Sequence, residues 1–284
     1  MMRATVFGAR GSLATPGPAT SKYGGNTSAV EIVDDEGNIL VLDAGTGIRS
    51  LGENIPPTTA RIDVLLTHLH MDHIQGLGFF SPLTRPETRV HIWGPASSTS
   101  SLSARLSRYL SPPLFPVHFR DLSSVTCHEI RQDKFNLGPF QVTASLVCHP
   151  DPTLGYRISL DDYVVTYIPD HEPALCQTNG SWPSSAWISG YDLALDADLL
   201  FHDAQFSDEE YAECVGYGHS SYRHAFEFAS LANVSELVPF HHDPSHDDTT
   251  LDRLFQKSVQ RFKPPFRVSK GCEGAVFELR SGER

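Results

Sequence analysis

The stretch RIDVLLTHLHMDHIQG, residues 61–76, constrains this chain more than any other. RIDVLL is β-branched and leucine-rich, the composition of a buried strand. Three histidines and an aspartate then fall within six residues, at His68, His70, Asp72 and His73. Clustered imidazoles repel one another once protonated, so a plain solvent-facing turn is a poor explanation for them. A metal ion, which binds neutral imidazole and carboxylate together, is a good one. His68 and His70 are two residues apart. In an extended chain alternate side chains share a face, so both can reach one ion at the strand end. Asp72 and His73 come after a turn, at the start of a helix, and point toward a neighbouring position. One metal needs three or four ligands, so the cluster seeds two incomplete sites and the missing ligands must come from elsewhere in the chain.

The rest of the chain reads as strands and helices in alternation. Short strands are expected at about 3–8, 28–34, 38–42 and 61–66, with a hairpin signal at DDEGN. Further strands are expected near 89–93, 124–130, 139–147, 155–160, 163–168, 198–201 and 235–239. Helical periodicity covers SSTSSLSARLSRYL and residues 207–214, 221–232 and 248–262. This order predicts an α/β fold of two sheets covered by helices. No linker interrupts it, so residues 1–284 are expected to form one domain.

Bulk properties narrow the function. A net charge of −12 disfavours a broad phosphate-neutralising surface, so long nucleic acid is not an expected partner. No apolar run reaches eighteen residues, which predicts no membrane span. The N-terminal residues lack the apolar core of a secretory signal. The five cysteines are scattered, without a C-x-x-C pair, and point to a reducing cytoplasm. A homodimer is compatible with all of this.

HLHMDH, residues 68–73, matches the H-x-H-x-D-H motif of the metallo-β-lactamase superfamily of metal-dependent hydrolases, and the chain resembles that family over nearly its whole length. VLDAGTGIRSLG is similar to its strand ending in an Asp-Gly turn. CHPDPTLGYRI, YIPDHEP and SELVPFHHDPSHDD resemble its later ligand segments. The resemblance implies a four-layer αββα sandwich holding two divalent ions, zinc first, with manganese or iron as alternatives. His68, His70 and His149 would hold one ion; Asp72, His73 and His241 the other; Asp170 would bridge them. His171 and Glu172 compete with Asp170, and His242 with His241. His241 is preferred because it directly follows the apolar run LVPF. GYRI and FHDAQF followed by GHSSYRH resemble the phosphodiesterase branch, which includes tRNA 3′-processing ribonuclease and bacterial cyclic-nucleotide phosphodiesterases. There, His219 would be the proton donor, oriented by Asp203, with His202 as the competing partner. Attack would come from a water activated between the two ions, with Asp72 at the catalytic centre.

The substrate is expected to be a small phosphodiester, a 3′,5′-cyclic nucleotide above others. The tRNA enzymes carry a long arm between the third histidine and the bridging aspartate, and Cys148 to Asp170 leaves no room for one. The loop GARGSLATPGPATSKYGGNTS offers Ser12, Asn26 and Thr27 as substrate-binding groups, its glycines allowing close backbone approach. Arg157 is a candidate phosphate contact, and Trp182 and Trp187 a candidate lid. His91, His118, His128 and His224 read as structural or surface histidines. Two rivals use the same ligands: a lactonase or thioesterase, which needs no His219, and a non-catalytic metal-binding sensor, which would be expected to have lost a ligand. An oxygen-reducing diiron enzyme is excluded because position 70 is histidine, where such enzymes usually carry glutamate.

Overall fold

The computed structural model describes residues 1–280. The strands run β1 (Met2–Gly8), β2 (Ala29–Asp34), β3 (Ile39–Leu42), β4 (Arg61–Leu65), β5 (Arg89–Pro95), β6 (Val125–Ile130), β7 (Asp133–Leu137), β8 (Phe140–Val147), β9 (Thr153–Leu160), β10 (Tyr163–Ile168), β11 (Leu199–Asp203), β12 (Glu236–Phe240), β13 (Arg267–Val268) and β14 (Val276–Leu279). The helices are α1 (Ile48–Asn54), α2 (Met71–Ile74), α3 (Leu102–Leu106), α4 (Tyr191–Ala194), α5 (Asp208–Tyr211), α6 (Tyr222–Leu231) and α7 (Asp248–Phe262). One sheet has the order β14-β1-β2-β3-β4-β5-β6 and the other β13-β12-β11-β10-β9-β8-β7. Among the described residues no helix is long and apolar enough to cross a membrane.

Alternation explains the layering. β1 buries Met2, Ala4, Val6 and Gly8 while Arg3, Thr5 and Phe7 between them are only half-buried. That face meets Val142, Tyr156, Ile158, Tyr167 and Phe201 of the second sheet in a shared core. The opposite face of the first sheet carries Val41, Ile62, Val64 and Ile92 against Ile48, Leu51 and Leu106. The opposite face of the second carries Ile168, Leu200 and Leu237 against Ala225, Phe228, Ala229 and Leu254. Sheets covered on both faces need nearly continuous apolar strands, and β3 and β11 are buried at every position. The result is the αββα sandwich.

Several expectations shift. The long helix over SSTSSLSARLSRYL shortens to α3, capped by Ser101 accepting from the Ala104 N–H. β7 and β14 lie at sheet edges, with the alternating exposure of strands that bury one face. Weak apolar content hides β7 in the sequence, as it hides α1.

Strand ends position the site. β10, β11 and β12 are parallel, with Ile168 level with His202 and Asp203 level with Phe240. Asp170, Asp203 and His241 therefore emerge side by side at one edge of the second sheet. β4 delivers His68 to the same edge from the first sheet.

Phe201 is fully buried and packs edge-on against Tyr167, Phe240 and, from the first sheet, Phe277. Phe201→Ala is expected to lower stability by about 3–5 kcal/mol in urea unfolding. A loss below about 1 kcal/mol would contradict its place between the sheets.

Candidate metal centre

Seven side chains converge where the two sheets open. His68, His70, His149 and Asp170 form one group of donor atoms, all within 4.8 Å of one another, and Asp72, His73 and His241 form another. Asp170 stands between them. Its Oδ2 lies 3.7 Å from His68 Nε2 and 4.0 Å from His149 Nε2. Its Oδ1 lies 3.0 Å from His73 Nε2 and 3.4 Å from His241 Nε2. His241 Nε2 is also 3.1 Å from Asp72 Oδ2.

Hydrogen bonds behind the histidines set which nitrogen faces inward. His73 Nδ1 donates to Asp43 at 2.7 Å, His149 Nδ1 to the Gly218 carbonyl at 3.0 Å, and His241 Nδ1 to Gln205 Oε1 at 3.0 Å. His68 Nδ1 donates to Thr67 Oγ1 at 3.1 Å, and that hydroxyl donates onward to Asp43. Four Nε2 lone pairs are thereby turned into the centre. His70 is reversed: its Nε2 donates to Asp151 at 2.8 Å, and its Nδ1 faces His149 Nε2 at 3.4 Å.

The donor set fits a divalent ion. His68 Nε2 and Asp170 Oδ1 are buried without any hydrogen-bond partner, which a core polar atom rarely tolerates. Burial pushes His68 well down, helped by neighbouring His73, and burial also lowers His149, so both rings are neutral. Burial opposes ionisation of Asp170 and Asp72, but the surrounding histidines outweigh it and hold both carboxyls well below the usual range. Burial likewise disfavours a charged His73, yet Asp170, Asp72 and Asp43 push its pKa well up. That is the negative potential a cation would meet. A mixed imidazole and carboxylate set of this kind suits zinc, manganese or iron.

The local backbone is strained to make this arrangement. Asp43 and His241 both adopt φ of 60°, at about 1–3 kcal/mol each for residues other than glycine. Gly11 packs flat on His241: a Cβ there would lie 2.4 Å from the ring. The Ser12 N–H donates to Asp72 Oδ2 at 2.7 Å. The N-terminal loop thus touches the centre through backbone.

His219 sits over the centre. It stacks on His241, ring centroids 4.9 Å apart, and lies edge-on to His149. Its Nδ1 donates to Asp203 Oδ2 at 2.7 Å and is 4.0 Å from Asp170. Asp203 is held in turn by the N–H groups of His171, Gln205 and Ser220. Burial opposes a charge on His219, but Asp203, then Asp170 and Asp72, raise its pKa to about 9.

The remaining candidates lie elsewhere. Arg157 spends Nη1 on the Leu193 and Leu195 carbonyls at 2.8 and 2.7 Å, and so does not reach the centre. Asn26 is bound to Glu273 at both its backbone and side-chain nitrogens. Thr27 is buried and exchanges hydrogen bonds with Thr46. These three are occupied by partners away from the donor atoms. His242 turns away and donates to Gly271. His202 pairs with His171, leaving Asp203 to face His219. Trp182 donates to Glu227 of α6 and packs with the second helical layer, while Trp187 is 78% exposed. His91 and His128 hydrogen-bond to one another beside Trp93. The sequence reading missed Thr67, Asp151 and Gln205 behind the donors; for Asp43, only the turn that carries it was visible. A groove of about 1250 Å³ opens beside His68 and His70, walled by Met71, Leu114 and Leu146 and carrying Arg108 and Arg131.

Fold and donor set define a metal-dependent hydrolase. Residues 38–242 match the family described as the Beta-lactamase superfamily domain, and the chain belongs to that family. It is similar to ribonuclease Z of Myxococcus xanthus, 25% identical over 281 residues that cover 85% of this chain and 89% of that one. Ribonuclease Z of Thermoplasma acidophilum is likewise 25% identical, over 310 residues and 93% of each chain. Among solved structures, the metallo-β-lactamase fold protein YhfI of Bacillus subtilis superposes with a TM-score of 0.72 at 20% identity, covering 98% of this chain and 100% of that one. A diphosphatase from the PhnP family superposes with a TM-score of 0.69 at 18% identity, covering 98% and 97%.

Asp43→Asn removes the charge behind His73 and leaves one acceptor oxygen for donors that now share two, so either His73 Nδ1 or the Thr67 N–H meets an amide NH2. Zinc affinity is expected to fall about 10–100-fold, read by competition with a chromophoric chelator. Unchanged affinity would contradict a role for the Asp43 charge in holding His73 for the metal.

Proposed function

We propose that the protein hydrolyses a small phosphodiester, a 3′,5′-cyclic nucleotide being the favoured substrate, and that all 284 residues act as one hydrolase domain. The observation that carries this reading is the pairing of a carboxylate shared by two donor groups with a histidine–aspartate dyad 4.0 Å away. His68, His70 and His149 would hold one ion, and Asp72, His73 and His241 the other, with Asp170 common to both. When bound there, two divalent ions, zinc foremost, supply a water acidic enough to attack at neutral pH and positive charge for the phosphoryl oxygens.

The chain's own residues do the rest. The leaving alkoxide needs a proton, and His219 offers one from Nε2 because Asp203 already occupies its Nδ1. Asp203 holds the ring in place and favours its protonated form. The groove beside His68 and His70 has room for a nucleoside, with apolar walls for the base and arginines for anionic oxygens.

Two observations favour a small substrate over transfer RNA, whatever the ribonuclease Z relatives act on. The net charge is −12. Between His149 and Asp170 the chain is spent on β9 and β10, joined at Asp161–Asp162, with no arm. The free state of the five cysteines agrees with a reducing compartment.

The test is hydrolysis by metal-loaded and metal-stripped protein of bis(p-nitrophenyl) phosphate, 3′,5′-cyclic AMP and a neutral lactone. Metal-dependent diester cleavage without lactone cleavage is expected. His219→Ala should keep its metal and lose about 100-fold or more on the cyclic nucleotide, whose leaving group is a poor one, but far less on the activated diester. Equal rates on the cyclic nucleotide for variant and parent would refute the proton-donor role, and lactone cleavage alone would refute the substrate class.

A further inference from the structure

Glu172 is fully buried, and among the described residues the hydrogen-bond donors to its carboxylate are neutral ones. Oε1 accepts from the Tyr211 hydroxyl and the Gly216 N–H, both at 2.8 Å, and Oε2 from the Gly218 N–H at 2.7 Å. All three donors belong to the segment 211–218 that runs directly into His219. The Glu172 backbone N–H donates to the Cys148 carbonyl at 2.9 Å, next to His149. Hydrogen bonds to an ionised acceptor are strong, and removing one from a dry site leaves a donor unpaired.

The Gly218 peptide makes this more than a loop anchor. Its N–H is held by Glu172, and its carbonyl accepts from His149 Nδ1 at 3.0 Å. Its φ is +92°, and a Cβ would sit 2.3 Å from His149 Nδ1, so only glycine brings the peptide this close. The next residue, His219, must meet Asp203 on one side and His241 on the other. One carboxylate therefore fixes a peptide whose two neighbours in space are a metal-donor histidine and the dyad histidine.

We propose that Glu172 is a positioning residue. It clamps segment 211–218 so that Gly218 sets the His149 tautomer and His219 is carried into line over Asp170. The proposal rests on the reading of His219 as proton donor. Glu172→Gln preserves the side chain's shape but sets an NH2 group against one of the N–H or O–H donors, so the clamp loses an anchor.

The experiment is a cycle of Glu172→Gln, His219→Ala and the double variant, zinc-loaded, on 3′,5′-cyclic AMP and bis(p-nitrophenyl) phosphate. Glu172→Gln is expected to lose about 10-fold more kcat on the cyclic nucleotide than on the activated diester, within the span of general acid catalysis. With zinc saturating, so that any effect through His149 on metal binding is masked, the double variant should be no slower than His219→Ala alone, because the part of the clamp that acts on turnover runs through the His219 ring. Equal losses on both substrates, or losses that multiply in the double variant, would overturn the proposal. Failure of the proton-donor reading looks different: His219→Ala would then show no leaving-group dependence. A readout independent of turnover covers that case. Imidazole 15N–1H spectra of the zinc-loaded protein should show slowly exchanging Nδ1–H signals for His149 and His219, lost or broadened in Glu172→Gln. Unaltered signals would overturn the proposal whatever the substrate.

Discussion

The centre depends on one buried carboxylate whose two oxygens look in opposite directions. Asp170 is 1% exposed, yet it is held ionised against the cost of its own burial by His241 and His73. Oδ2 faces His68 and His149, and Oδ1 faces His73 and His241. Among the described residues the ion-pair partners of Asp170 are histidines alone, and a carboxylate so buried needs compensating positive charge. The strained φ at Asp43 and His241, and the close packing of Gly11 on His241, are what the surrounding chain gives up to bring these groups around it.

Asp170 also begins a three-residue run that organises its neighbours. The His171 N–H donates to Asp203, and its carbonyl accepts from Ser220 Oγ at 2.6 Å. Glu172 reaches Cys148 through its backbone and segment 211–218 through its side chain. The shared carboxylate, the dyad and the third-histidine strand end are thus set by one short stretch just after β10. A displacement there would move the donors and the proton source together, which ties metal binding to turnover through covalent geometry.

Much of this was legible in the sequence, for identifiable reasons. The strands β2, β3, β4, β10 and β12 are apolar enough to declare themselves, and α7 carries a clear helical period from an aspartate cap. The donors His68, His70, Asp72 and His73 stand in one motif, and the residues expected as their distant partners end neighbouring strands. What the sequence hid is tertiary. Gln205 and Asp151 touch the donor histidines only because separate loops meet, and no local pattern marks them; of Asp43 only the turn was visible. Arg157 looked like a phosphate contact because an arginine after a candidate ligand is suggestive, but α4 lies across β9 and its carbonyls take the guanidinium. Glycines in the N-terminal loop suggested a ligand cradle, whereas Gly11 makes room for His241 and Asn26 is tied to Glu273.

The central claim is that Asp170 is shared by two ions. Elemental analysis of zinc per chain, on protein loaded and freed of excess metal, tests it most directly when the parent is set beside Asp170→Asn. The account predicts two zinc ions per chain in the parent and loss of at least one in the variant, with diester hydrolysis falling alongside. One ion per chain in both proteins would show that Asp170 serves a single site at most, and the two-ion account would be wrong.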